Sequence, residues 1–259
     1  DYEGTLWLDD VSVCKQIVAT NEKTPEEKKE IITNALETFI AGMMEECSGY
    51  IKAWDVVNEP MSDWPDPSEI KTGIGQTLKE DEFYWQDYMG KDYAVEAFKF
   101  ARKYGGNNLI LFINDYGLEG SADQAKCKGL IEFVKYTEER GALVDGIGTQ
   151  MHVTCGQTEL SNIVLMFQNL AATGKLIKVS ELDMGYYSSE EGRNLQTEEL
   201  TKEQHMEMAQ FYEDIIKAYF DNVPASPRYG ITQWCPQDSP KDSGWRKGEP
   251  TGLWTLEYY

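Results

Sequence analysis

IKAWDVVNEP at residues 51–60 decides how the fold is read, and LIKVSELD at 176–183 repeats its logic. Each is an apolar run of strand length that ends beside a glutamate, Glu59 in the first and Glu181 in the second. Runs of this kind, apolar on successive residues, belong to parallel strands covered on both faces. Working outward, similar runs predict strands over about 109–114, 146–150, 177–180 and 230–234, with helical periodicity near 93–104, 122–140, 160–173 and 202–220. A further helix starts at Thr24, a good N-cap, with Pro25 at its first position and Glu26 and Glu27 in its first turn. Ile31, Ile32, Leu36, Phe39, Ile40 and Met43 keep helical spacing and predict its apolar face, and Gly49 ends it. Strand and helix alternate, and the longest loops, 61–92 and 184–199, follow strand ends. Long loops at strand C-termini are how a (β/α)8 TIM barrel builds a site, so the fold class is α/β of that type. Five strands do not close an eight-stranded barrel, and the chain reads as supplying only part of one.

The chemistry lies in the two glutamates. A carboxylate at the end of a buried strand sits where core meets pocket, so its surroundings set its proton affinity. Two of them on converging strands are what glycosidic cleavage requires: one acid/base and one nucleophile or second base. Alone, each has a plainer reading, a solvated strand end for Glu59 and an ion-pair partner for Glu181. The rest of the composition narrows the field. A net charge of −21 over 259 residues argues against nucleic-acid backbones and anionic membrane surfaces. No apolar run approaches a membrane span, and no secretory leader is visible. Two histidines, His152 and His205, exclude a multi-histidine metal centre, and G-x-S-x-G is absent. The five cysteines, Cys14, Cys47, Cys127, Cys155 and Cys235, form no C-x-x-C pair and suggest neither a disulfide framework nor zinc. No cofactor is expected.

Five ordered motifs carry a family resemblance. Trp54-Asp-Val-Val-Asn-Glu-Pro60 resembles the acid/base motif of glycoside hydrolase family 10, the endo-β-1,4-xylanases, and Val179-Ser-Glu-Leu-Asp183 resembles its nucleophile motif. Residues 92–116, 144–152 and 231–245 are similar to its fourth helix with fifth strand, its sixth strand and its eighth strand. The resemblance runs from about residue 24 to 256 and implies that the chain supplies barrel strands four to eight. It implies a retaining mechanism in which Glu59 is the acid/base and Glu181 the nucleophile. Asn58 would bond the sugar 2-hydroxyl, His152 would contact Glu181, and Asp183 would support the imidazole. Gln150, Tyr116, Trp234 and Trp245 would line the sugar subsites, since indole faces suit the apolar face of a pyranose. His152 read alone could be a satisfied core residue, Asp115 a structural one, and Trp64 and Trp85 loop anchors. Ser180 stands where the family commonly has Thr, Gly117 where it has Asn and Cys235 where it has Gly.

Residues 1–20, with the alternating stretch DYEGTLWLDDVSV, resemble the last strand of an inserted β-sandwich carbohydrate-binding module and its linker; residues 21–259 then form a partial catalytic barrel. The partner expected is xylan or its xylo-oligosaccharides. A second copy, or a companion chain supplying barrel strands one to three, is expected to cover the open sheet edges. A polymeric substrate implies a secreted or cell-surface protein. Two other readings stay open: a related β-1,4-glucanase or mannanase, and a catalytically incompetent fragment that at most binds glycan.

Overall fold

The computed structural model describes residues 22–80 and 82–257, so the expected strand within 1–20 lies outside the described residues. Helix α1 (Pro25–Glu46) opens with a capping box in which Thr24 Oγ accepts from the Glu27 amide and the Glu27 carboxylate accepts from the Thr24 amide. It is followed by β1 (Ala53–Asn58), the short α2 (Gln86–Met89), α3 (Tyr93–Gly105) and β2 (Ile110–Asp115). Then come α4 (Ala125–Glu139), β3 (Gly146–Thr149), β4 (His152–Cys155), α5 (Leu160–Ala171) and β5 (Leu176–Ser188). The chain continues through β6 (Arg193–Asn194), a 3-10 turn at Thr197–Glu199, α6 (Lys202–Asn222) and β7 (Arg228–Gln233).

Strands β1, β2, β3, the first half of β5, and β7 lie side by side, all parallel, in the order they occur in the chain. Each neighbour is reached through a helix, the alternation expected of a (β/α)8 barrel over five of its units. One side of the sheet carries Val57, Leu111, Ile113, Ile147, Ile177 and Val179 into the helices, against Phe98, Leu130, Ile163, Phe167 and Leu170. That is the core.

The other side carries the residues between. Asp55 pairs with Lys178 at 2.8 Å across the sheet, and Lys178 Nζ sits 4.5 Å above the Phe112 ring. Phe112 and Asn114 need room on this side, and β3 yields it by placing Gly146 and Gly148 beside them. A Cβ at Gly146 would fall 2.2 Å from Phe112, and one at Gly148 would fall 2.3 Å from the Asn114 amide oxygen. The two glycines of this strand therefore shape the sheet interior and hold Asn114 in place.

Three expectations need correction. On α1 only Leu36, Ile40 and Met44 are buried, while Ile31, Met43 and the 66 % exposed Phe39 face outward. Helical spacing gives the stripe, but its angle is set by what α3 covers. Helix α4 starts at Ala125 rather than 122, because Gln124 adopts a left-handed φ of 59° that no helix can include. The strand ending at 180 continues to Ser188: beyond the sheet, β5 pairs with β4 and β6, a small platform over the end of the barrel.

Candidate active site

Glu59 leaves β1 with φ 53°, a conformation rare for a residue with a side chain. Its amide is held by the Asn114 carbonyl at 2.8 Å, which fixes where the carboxylate emerges. Glu181 lies within β5, its amide bonded to the Gln150 carbonyl at 3.1 Å. Both glutamates line one cavity of about 780 Å3 together with Asn58, Tyr116, Gln150, His152, Trp234 and Trp245. Asp183 stands behind it, fully buried.

Two amides tie the carboxylates together. Asn114 Nδ2 donates to Asn58 Oδ1 at 2.9 Å and to Glu181 Oε1 at 3.3 Å. Gln150 Nε2 donates to Glu59 Oε1 at 3.1 Å and to Asn58 Oδ1 at 3.3 Å. With its oxygen taken twice, Asn58 has an Nδ2 that bonds nothing among the described residues, a donor free for a ligand. Gln150, 2 % exposed, is a tether for Glu59 more than a free contact for sugar. Asn114 carries the bridge, yet sequence reading assigned it no role; its only signal was an amide on the inward-facing phase of an apolar strand.

His152 lies between two carboxylates. Its Nε2 is 3.4 Å from Glu181 Oε2, and its Nδ1 is 3.0 Å from Asp183 Oδ1, close in distance but off the line of a hydrogen bond. Asp183 also accepts from Trp245 Nε1 at 2.8 Å and faces Arg246 Nε at 3.4 Å. The imidazole rests 4.7 Å from the Trp245 ring and 6.0 Å from that of Trp234. Trp234 and Trp245 are themselves 47 % and 43 % exposed, so each presents indole surface to the cavity they line. Burial pushes the Glu181 carboxyl above the ordinary glutamate range; His152 and Asn114 pull it down, and the charge of Glu59 adds to the upward push.

Tyr116 also lines the cavity, but its ring is already in use. Lys126 Nζ sits 3.6 Å from the ring centroid and Lys71 Nζ 5.0 Å, while the hydroxyl donates to Asp63. Lys126 bonds Asp63 at 2.7 Å and lies 3.5 Å from Asp115. Asp115 is fully buried, accepts from the Met61 and Tyr116 amides at 2.8 Å each, and is raised to about 6 by burial against the pull of Lys126. Asp115 is thus structural, tying the loop after β1 to the end of β2. Lys71 reaches Glu59 Oε2 at 3.5 Å. Neither Lys71 nor Arg246 stood out in the sequence, since long loops bring them to the site. His205 is an exposed helix residue whose Nδ1 lies 2.9 Å from the Thr201 carbonyl oxygen. Among the described residues no cluster of His, Cys, Asp and Glu could hold a metal.

Gly148→Ala is expected to damage this site without touching a carboxylate. The added methyl displaces Asn114, which holds Asn58 and Glu181 together, and should cost about 1–3 kcal/mol of stability. Thermal unfolding checks the stability, and loss of the Asn114 amide resonances' native positions in NMR checks the site.

The chain as a whole is similar to known proteins. The family model described as glycosyl hydrolase family 10 matches residues 12–258. Endo-beta-1,4-xylanase Xyn10C of Cellvibrio japonicus is 30% identical over 211 residues, 79% of this chain and 33% of that protein. Endo-1,4-beta-xylanase C of Paenibacillus barcinonensis is 31% identical over 222 residues, 83% of this chain and 19% of that protein. The crystal structure of xylanase B from Clostridium stercorarium superposes with a TM-score of 0.75 at 25% identity, covering 90% of this chain and 65% of that one. The chain thus spans a third or less of the two curated relatives and just under two thirds of the solved structure. With the five-strand arc of a TIM barrel, the paired glutamates and a family match over nearly its whole length, the chain belongs to glycosyl hydrolase family 10.

Proposed function

We propose that this chain carries the catalytic pair of a retaining endo-β-1,4-xylanase. One observation supports it above the rest: the amides of Asn114 and Gln150, meeting at Asn58, tether Glu59 and Glu181 to each other in one cavity. Glu181 attacks the anomeric carbon as Glu59 gives its proton to the departing glycosidic oxygen, leaving a glycosyl ester on Glu181. Water then enters. Glu59 takes its proton, the water oxygen bonds to the anomeric carbon, the ester bond breaks, and Glu181 leaves as a carboxylate. Asn58 Nδ2 bonds the sugar 2-hydroxyl, and His152, backed by Asp183, steadies Glu181. Trp234 and Trp245 offer apolar surface to the sugar rings.

The substrate is xylan or its xylo-oligosaccharides, and on the polymer, which cannot enter a cell intact, the protein would act outside the cell or on its surface. A second reading has its own support. Among the described residues, β1 pairs only with β2 and β7 only with β5, leaving two parallel edges unpaired. A second copy, or a companion chain supplying three further barrel strands, would cover them, and with the edges uncovered these strands would bind glycan at most.

One experiment addresses both. Hydrolysis of aryl β-xylobioside and aryl β-cellobioside is measured across a range of chain concentrations, with light scattering on the same samples. Faster release from the xylobioside, rising per chain as association proceeds, is the expected result. Faster release from the cellobioside would make it a glucanase instead. A monomer whose rate per chain is independent of concentration would remove the need for a second copy.

A further inference from the structure

Next in the chain to Asp63, which accepts from the cavity residue Tyr116, stands a largely exposed indole. Trp64 is 81 % exposed, and its ring meets no other aromatic ring and no cation among the described residues. Loop anchors bury their rings; Trp85, by contrast, packs edge-on to Phe83 at 4.9 Å. An isolated exposed indole is not a site in itself. Three further features make this one informative.

The first is position. Tyr116 lines the cavity and donates its hydroxyl to Asp63, so Trp64 directly follows a residue held by the cavity wall. The second is rigidity. Residues 60–71 form a hairpin closed by the Met61–Ile70 bridge, by Ser62 N to Glu69 O at 2.8 Å, and by Lys71 N to Pro60 O at 2.7 Å. Ser62 Oγ donates to the Trp64 carbonyl at 2.8 Å and accepts from the Trp64 amide at 3.3 Å. The hairpin's far side lies directly on α4 at Gly129, where a Cβ would stand 2.5 Å from the Ser68 oxygen. The third is charge. Asp63 is paired with Lys126, and Asp66 accepts from the Ser68 amide and hydroxyl at 2.9 and 2.6 Å. The hairpin turns its acids to its own partners and leaves a bare indole at its tip.

We propose that Trp64 is a distal sugar platform, stacking a pyranose of the β-1,4-linked chain that runs out of the cavity past Tyr116. A neutral polymer offers an apolar ring face at every unit, which a fixed indole can meet without any charged contact. Pre-ordering by the hairpin spares the ligand the cost of fixing the loop. The proposal rests on the glycan-binding reading of the cavity and extends it to longer ligands.

The test is calorimetric titration of the full chain carrying Glu181→Ala, which cannot form the glycosyl ester, alone and together with Trp64→Ala or Trp64→Tyr, with xylotriose, xylohexaose and cellohexaose. This parent should bind xylohexaose more tightly than xylotriose. Trp64→Ala should lose roughly tenfold of that gain, near the range of one ring-stacking contact, and Trp64→Tyr should recover most of it. Because Trp64 is exposed, the variants fold as the parent does. Should cellohexaose alone show the Trp64-dependent gain, the platform stands and the choice of xylan falls. A gain from length that Trp64→Ala leaves intact, or no gain from length at all, overturns the platform; in that event the indole serves a protein contact.

Discussion

Glu181→Ala lowers hydrolysis of an aryl β-xylobioside by about 10⁴-fold or more, the loss expected when a covalent nucleophile is removed. His152 lies 3.4 Å from the same carboxylate, but its ring is committed between Glu181 and Asp183. The lost volume lets a small anion in. Added azide should restore release and give an α-xylobiosyl azide, since azide then attacks from the face that Glu181 occupied. The pH profile of the unmodified protein follows from the same residue. Burial raises the Glu181 carboxyl above the ordinary range, and only the ionised form attacks. Activity should therefore rise with pH on the acid side at a value above that of an exposed glutamate.

Glu59→Ala has the second largest effect, and it depends on the leaving group. On xylan, whose departing oxygen needs a proton, the loss is about 10²–10⁴-fold. With a dinitrophenyl xylobioside the first step needs little acid assistance, so the loss on that step shrinks. Hydrolysis of the ester becomes slow, and azide should speed turnover with a β-xylobiosyl azide as product. The two variants thus give azides of opposite anomeric form, an outcome that swapped roles for Glu59 and Glu181 would reverse. Equal losses on both leaving groups would take the acid role from Glu59.

Much of this was legible in the chain before its structure. Leu111, Ile113, Ile147, Ile177 and Val179 announce buried strands because parallel strands cannot carry polar residues on the helix side. Thr24, Pro25 and Glu27 mark a helix start through groups only a few residues apart. Glu59 and Glu181 could be picked out because each carboxylate follows an apolar run. What stayed hidden depends on contacts between distant segments. The left-handed φ of Glu59 has no glycine to signal it, and the service of Gly148 to Asn114 is seen only once two strands lie in register. Lys71 reaches Glu59 through a hairpin closed by its own bond to Pro60, eleven positions back, and Arg246 reaches Asp183 from 63 positions away. Tyr116 lines the cavity, and the lysine closest to its ring comes from α4, far along the chain. Phe39 shows the limit from the other side: apolar spacing identifies a stripe on α1 without telling how wide its cover is.

The central claim is that Glu181 forms a covalent bond to sugar while Glu59 handles the proton. Incubation with an activated 2-fluoro β-xylobioside, which forms the ester quickly and hydrolyses it slowly, followed by peptide mass mapping, tests it most directly. One fluoroxylobiosyl group per active chain is expected, carried by the peptide containing Glu181. A protein that hydrolyses xylobiosides yet accumulates no adduct, or carries it on another residue, would contradict the account.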